Sequence, residues 1–168
     1  AGYLGRINYT GLEEFFIDFG AGVKSIIILS FTDFLNDNGA FEAGVFDDLA
    51  RKAVEAGTEI DLEALGELYV ETIVDTADFN DRIARETLGR SPAHVLLLHE
   101  TDLAAMFIVD LVEGLRNAGW TIIPIDEAYR DPIAEAEPDT LYLGGGRVAA
   151  LAHVAGRDPA SLVHERTD

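Results

Sequence analysis

Two histidines and their acidic neighbours stand out in the run Ala93-His94-Val95-Leu96-Leu97-Leu98-His99-Glu100. The branched apolar residues after Pro92 read as a strand buried on both faces, of the kind found in parallel sheets covered by helices. The strand stops at His99, followed by Glu100 and Asp102. Sheets and barrels of the α/β class place their active sites at the carboxyl ends of such strands. An imidazole titrates near neutral pH and a neighbouring carboxylate keeps its protonated form ready, so proton donation is the chemistry this position offers. The plainer alternative is a strand-end histidine bonded to a neighbouring loop. His94 and His99 fall on opposite faces of an extended strand and cannot bind one metal ion together.

Other residue types are less specific. Zero cysteines exclude disulfides, thiolate zinc sites and cysteine nucleophiles, so a metal would have to rest on His and carboxylates. Gly20-Ala21-Gly22-Val23-Lys24-Ser25 has the parts of a phosphate loop, but Val23 separates Gly22 from Lys24 and the spacing fails. Asn8-Tyr9-Thr10 has the form of a glycosylation acceptor without a secretory context. Asp102 is better explained as a helix N-cap than as a catalytic acid, which leaves Glu100 as the cleft carboxylate. His153 either caps its helix, lies in the cleft or is a surface residue, and His164 falls in a polar tail expected to be solvated. Trp120 and Tyr129 are rings that could stack on a sugar, although a Trp at a strand start is more often core. Gly144 to Gly146 permits close backbone approach and is a weak ligand-loop signal.

The elements that must position these groups follow from periodicity. Residues 1–22 carry aromatic pieces read as short strands joined by a turn at Thr10-Gly11. Ile26-Ile27-Ile28-Leu29 is a second buried strand, and it too runs into polar residues, Ser30-Phe31-Thr32-Asp33-Phe34. Phe41, Val45, Phe46, Leu49, Ala50 and Ala53 recur at helical spacing up to Gly57. Asp61 caps a longer helix with the stripe Leu62, Leu65, Tyr69, Ile73, Thr76, Phe79 and Ile83, which Gly89 stops. After the Leu-rich strand a third helix runs from Asp102 to Ala118-Gly119. Trp120 to Ile125 is the next strand, with Pro124 implying an edge or end position. Strand, helix, strand in this compass makes a crossover, so the strands ending at His99 and Ile125 are expected to be parallel neighbours. Leu141-Tyr142-Leu143 is a short final strand, residues 147–155 are helical in pattern, and 157–168 is a loose tail.

At 168 residues and 48% apolar composition the chain suits a single α/β domain. No apolar run reaches transmembrane length and no signal segment opens the chain, which reads as soluble, cytoplasmic or exported, from a bacterium or archaeon. With 31 acidic against 12 basic residues the net charge is −19, which disfavours nucleic acid and anionic membranes as partners. The acids are spread along the chain as a solvated shell, and with so few lysines this looks like adaptation to high salt, where screening removes self-repulsion.

The pattern from His94 to Thr140 resembles the C-terminal part of the polysaccharide deacetylases. It is carried by Val95-Leu96-Leu97-Leu98-His99, the helix to Leu115, Gly119-Trp120, Ile125-Asp126-Glu127-Ala128 and Asp131-Pro132, with a weaker continuation through Leu151-Ala152-His153. Thr32-Asp33-Phe34 looks like a degraded form of that family's Asp-x-x-Asp-Trp segment. The resemblance implies an incomplete or distorted (β/α) barrel with mostly parallel strands, hydrolysing acetamido or ester groups on a carbohydrate polymer. It implies His99 as the proton donor, Asp33 as the residue that orients it, and Glu100, Phe34 and His153 on the substrate side. A divalent, zinc-like metal is also implied, but the family's His-x-x-x-His segment is missing and no ligands are identified. The chain is then a fragment or a lineage without the metal machinery. The rival expectation is a non-catalytic α/β module binding a glycan or a protein, in which a homo-oligomer or a missing N-terminal portion covers the open sheet edges.

Overall fold

The computed structural model describes residues 24–30 as backbone, and 48–98, 101–142 and 145–164 with their side chains. Three β-branched and leucine-rich segments form one parallel sheet. Strand β1 is Lys24–Ser30, β2 is Ala93–Leu98 and β3 is Trp120–Ile122. Their order is β2-β1-β3, with Ser30 opposite Leu98 at one end and Lys24 opposite Trp120 at the other. The class is therefore α/β. The expected pairing of β2 with β3 is corrected, because β1 lies between them. A crossover helix fixes the parallel sense of the two strands it joins but not whether a third strand takes the slot between them.

Helix α1 covers residues 48–55 and turns at Gly57, whose φ is 69°. Helix α2, Leu62–Leu88, spans 27 residues, about 40 Å at the rise of an α-helix. Asp61 caps it by accepting from the Ala64 amide, and Gly89 ends it in the left-handed region, both as the residue types predict. Helix α3, Asp102–Asn117, is capped by Thr101, whose hydroxyl accepts from the Ala104 amide, so Asp102 sits in the first turn and is not the cap. Among the described residues no helix is long and apolar enough to cross a membrane.

Two parts of the core, a main one and an outlying one, are built on α2, and Ile123 and Ala128 form a small third cluster with Ala93. In the main part Tyr69, Ile73 and Ala77 of α2 pack against Leu103, Phe107, Leu111 and Leu115 of α3, with Leu98 and Trp120 beneath. Further along α2, Ile83 packs with Ala149, Ala152 and Leu162. The Ala residues belong to α5, Gly146–Val154, which follows the short helix α4, Ile125–Ala128.

Three further expectations change. The strand at Trp120 ends at Ile122, and Pro124 instead sits at the N-cap of α4, where its fixed φ and missing N–H suit a helix start. Leu141 and Tyr142 are in no strand, because the Thr140 hydroxyl accepts the Tyr142 amide that a sheet would use. Leu143 lies outside the described residues. The tail expected to be loose is packed through residue 164: Leu162 is buried, Arg157 pairs with Glu86, and His164 lies against Thr76 and the Phe79 ring.

Helices α2 and α3 approach closely at two glycines. A Cβ on Gly114 would stand 2.5 Å from Val70 Cγ1, and one on Gly66 would stand 2.7 Å from the Phe107 ring. Alanine gains roughly 1 kcal/mol of helix propensity over glycine, whereas overpacking a core costs about 1–3 kcal/mol. The stiff β-branched Val70 cannot yield cheaply, so the clash is expected to win. Gly114→Ala should lower the urea midpoint, and a raised midpoint would mean that the two helices are not in van der Waals contact there.

Candidate functional site

Of the residues singled out for chemistry, Asp33, Phe34, His99 and Glu100 lie outside the described residues. The strands that lead to two of them are described. Ser30 and Leu98 are register partners in adjacent parallel strands, so β1 and β2 finish level with one another at the carboxyl end of the sheet, about 4.8 Å apart. His153 is described and does not line the cleft beside β2. Its ring stacks on Tyr142 with centroids 5.3 Å apart, and its Nδ1 lies 2.9 Å from the Thr140 hydroxyl. That arrangement ties residues 140–142 to α5.

The described chemistry gathers at the start of β2. Asp81 on α2 is buried, and its carboxylate takes three side chains: the Ser91 hydroxyl donates to Oδ1, Arg85 Nε donates to Oδ2 at 2.7 Å, and His94 Nε2 lies 3.3 Å from Oδ1. Burial alone would push this carboxyl up. The bonds from His94, Ser91 and Arg85 outweigh it and hold the group well below the usual carboxylate range. An ionised carboxylate only accepts, which places an imidazole proton on Nε2. The His94 ring also meets Trp120 edge-on at 5.3 Å, and Trp120 Nε1 donates to Asp78 at 2.9 Å. The order Ser91, Asp81, His94 differs from a nucleophilic triad, in which the hydroxyl bonds the imidazole. Here the serine is engaged by the carboxylate and is not activated.

A second carboxylate holds the same strand end from the other side. Asp131 receives both terminal nitrogens of Arg90, at 2.7 and 2.6 Å, together with the backbone amides of Ala93 and Ile133, each at 2.9 Å. Burial works against its charge, but Arg90 and the two amides prevail and bring it down to about 2.

Between these anchors a cleft of about 240 Å³ runs along β2. Thr76 and Asn80 of α2 form one wall, Tyr129 and Ile133 another, and Gly145 to Arg147 at the start of α5 a third, with His94 on the strand itself. The space lies just under the roughly 300–1,000 Å³ of drug-sized ligand pockets, so it suits one small ring. Among the described residues no group of three or more His, Asp or Glu is arranged to hold a metal ion.

Sequence reasoning missed Asp81, Ser91 and the role of His94. The signal was present, since Asp81 stands at helical spacing from Ala77 and Ala84, both buried. An acid on an apolar stripe implies a buried partner. Comparison with known proteins returns no match among family models, curated proteins or solved structures.

Both carboxyls sit below the unfolded value of about 3.8. Their contribution to stability is thus complete above that value and is lost as pH falls toward the folded value, about 2 for Asp131. Acid titration followed by circular dichroism should show wild type losing stability below about pH 4, with a smaller loss in Asp81→Asn. At neutral pH Asp81→Ala should cost roughly 3 kcal/mol or more, because it strands His94 without its carboxylate. Equal acid sensitivity in wild type and Asp81→Asn would show that the carboxylate is not ionised in the fold.

Proposed function

We propose that this chain is a polysaccharide-deacetylase-like domain that hydrolyses an acetamido or ester group on a sugar polymer. His99 is the proton donor, Asp33 orients it, and Glu100 and Phe34 face the substrate. The three parallel strands would then be part of an incomplete or distorted (β/α) barrel.

The observation that carries this reading is the register of β1 and β2. Ser30 and Leu98 are partners, so the two strands that precede Asp33 and His99 in the sequence finish side by side at the carboxyl end of the sheet. Asp33 is three residues past Ser30, a reach of at most about 11 Å. A carboxylate three residues and an imidazole one residue past these strand ends are, on this reading, the parts of a proton-donating pair. In the reaction, water oxygen adds to the acyl carbon and releases a proton to solvent, the bond from that carbon to the sugar nitrogen or oxygen breaks, the leaving atom takes a proton from His99, and the imidazole regains one from solvent. Acetate and the free amine or hydroxyl are the products.

The absence of a three-residue metal-ligand group among the described residues favours a second reading, a non-catalytic α/β module that binds a glycan or a protein. Acetate release from acetylated sugar oligomers, assayed in high salt with added divalent metal, separates the two. Under the hydrolase reading His99→Ala should lose on the order of 10²–10⁴-fold in rate while keeping its fold. A wild-type protein that releases no acetate, or a His99→Ala variant as active as wild type, sinks the hydrolase.

A further inference from the structure

The wall of the cleft formed by the start of α5 differs from the others in how it is held. Residues 145–164 contain α5 and the 3-10 turn Pro159–Leu162. They enter the fold through Gly145 and Gly146, where Gly146 has φ 68°. Their buried contact with α2 is narrow: Ala149, Ala152 and Leu162 against Ile83, with Phe79, Tyr142 and Val148 at the margin. This cluster is separate from the larger one that joins α2 to α3 and the sheet. Alanines bury little apolar surface, so Leu162 is the one large buried side chain the segment brings to that contact.

The polar contacts of the segment are few: His153 bonds the Thr140 hydroxyl and stacks on Tyr142 just ahead of the segment, and the others lie at its margins. Arg147 Nη1 donates to the carbonyls of Ile133 and Ala134, at 3.0 and 2.7 Å, across the mouth of the cleft. Arg157 pairs with Glu86 near the end of α2, and both side chains are partly exposed. His164 Nδ1 lies 3.3 Å from the hydroxyl of Thr76, itself a cleft residue. A unit with a small apolar contact of its own, a glycine at its entrance and peripheral polar ties has the construction of a segment that opens below the free energy of global unfolding.

We propose that residues 145–164 form a lid over the cleft, hinged at Gly145 and Gly146 and latched by Arg147, His153, Arg157 and His164. Raising it removes one wall of the cleft and uncovers the face of α2 that carries Thr76 and Asn80, beside His94. Asp81 and its partners stay in place, because Ser91, Arg85 and Asp131 hold β2 from outside the lid. A ligand then enters a site whose polar floor is already set. This lid does not depend on the hydrolase reading, since it concerns access to the cleft and not the reaction.

Native-state hydrogen exchange on the whole chain tests it. In wild type the amides of residues 150–154 should exchange through an opening with a smaller denaturant dependence than those of residues 107–115 in α3. Leu111→Ala weakens the main core, so it should speed exchange in α3 by more than about tenfold and leave α5 unchanged. If that variant does not fold, Ile108→Val makes the same comparison more gently. Arg157→Gln should speed exchange in α5 by up to about fivefold, as expected for a partly exposed ion pair. The lid is overturned if α5 accelerates in step with α3 in the core variant, since the segment then opens only with the whole fold. It is equally overturned if Arg157→Gln leaves α5 unchanged.

Discussion

The buried carboxylate of Asp81 is the constraint on which the arrangement around β2 depends. A charge this deep is tolerated only with partners, and its partners come from three places: Arg85 one turn on, Ser91 in the connection, and His94 in the strand. Each partner fixes one relation. Arg85 neutralises the charge from the rim, Ser91 sets where the chain leaves α2, and His94 sets the face that β2 turns toward the helix. Buried ion pairs add little net stability over apolar packing, but breaking one is costly. The consequence is specificity of geometry, because a rotated β2 would leave the carboxylate without its imidazole.

Asp131 extends that constraint to the opposite side of the strand. It takes the Ala93 amide at the head of β2 and the Ile133 amide in the following turn, while Arg90 closes the ring of contacts. The carboxylate thus ties the entry to β2 to the segment after α4. Trp120 completes the frame from β3, its ring against His94 and its N–H on Asp78 of α2. Strands β2 and β3 are in this way both referred to one helix.

That helix carries the fold as a spine. The first part of α2 meets α3 closely enough that glycines are needed at Gly66 and Gly114. The second part meets α5 through alanines and one leucine. Tight packing at one end and light packing at the other divide the molecule into a fixed part, which holds His94 and the sheet, and a part that opens. The cleft lies at the boundary between the two, where rigid polar groups and a movable wall can coexist.

Much of the local structure was legible in the sequence. Asp61 and Gly89 bound α2 because a side-chain cap and a left-handed glycine are local devices that need no tertiary partner. The apolar runs at Ile26 and Val95 became neighbouring parallel strands, as β-branched and leucine-rich runs favour, but β2 is not buried on both faces as expected, since Val95 is exposed. The central place of β1 was not legible, because strand order depends on which edges find cover and not on any one segment. The network of Asp81, Ser91 and His94 was half legible: the acid on an apolar stripe announced a buried partner but not its identity. The tail from Arg157 to His164 read as solvated because its residues are polar, yet Leu162 alone draws it into the outlying core. Residue type and spacing determined the caps, the helices and the parallel sense of the strands, which are short-range consequences of backbone sterics and burial. Only the tertiary structure decided strand order, the partners of the buried carboxylates and the wall of the cleft, because those depend on residues far apart in sequence satisfying one another's charge and surface.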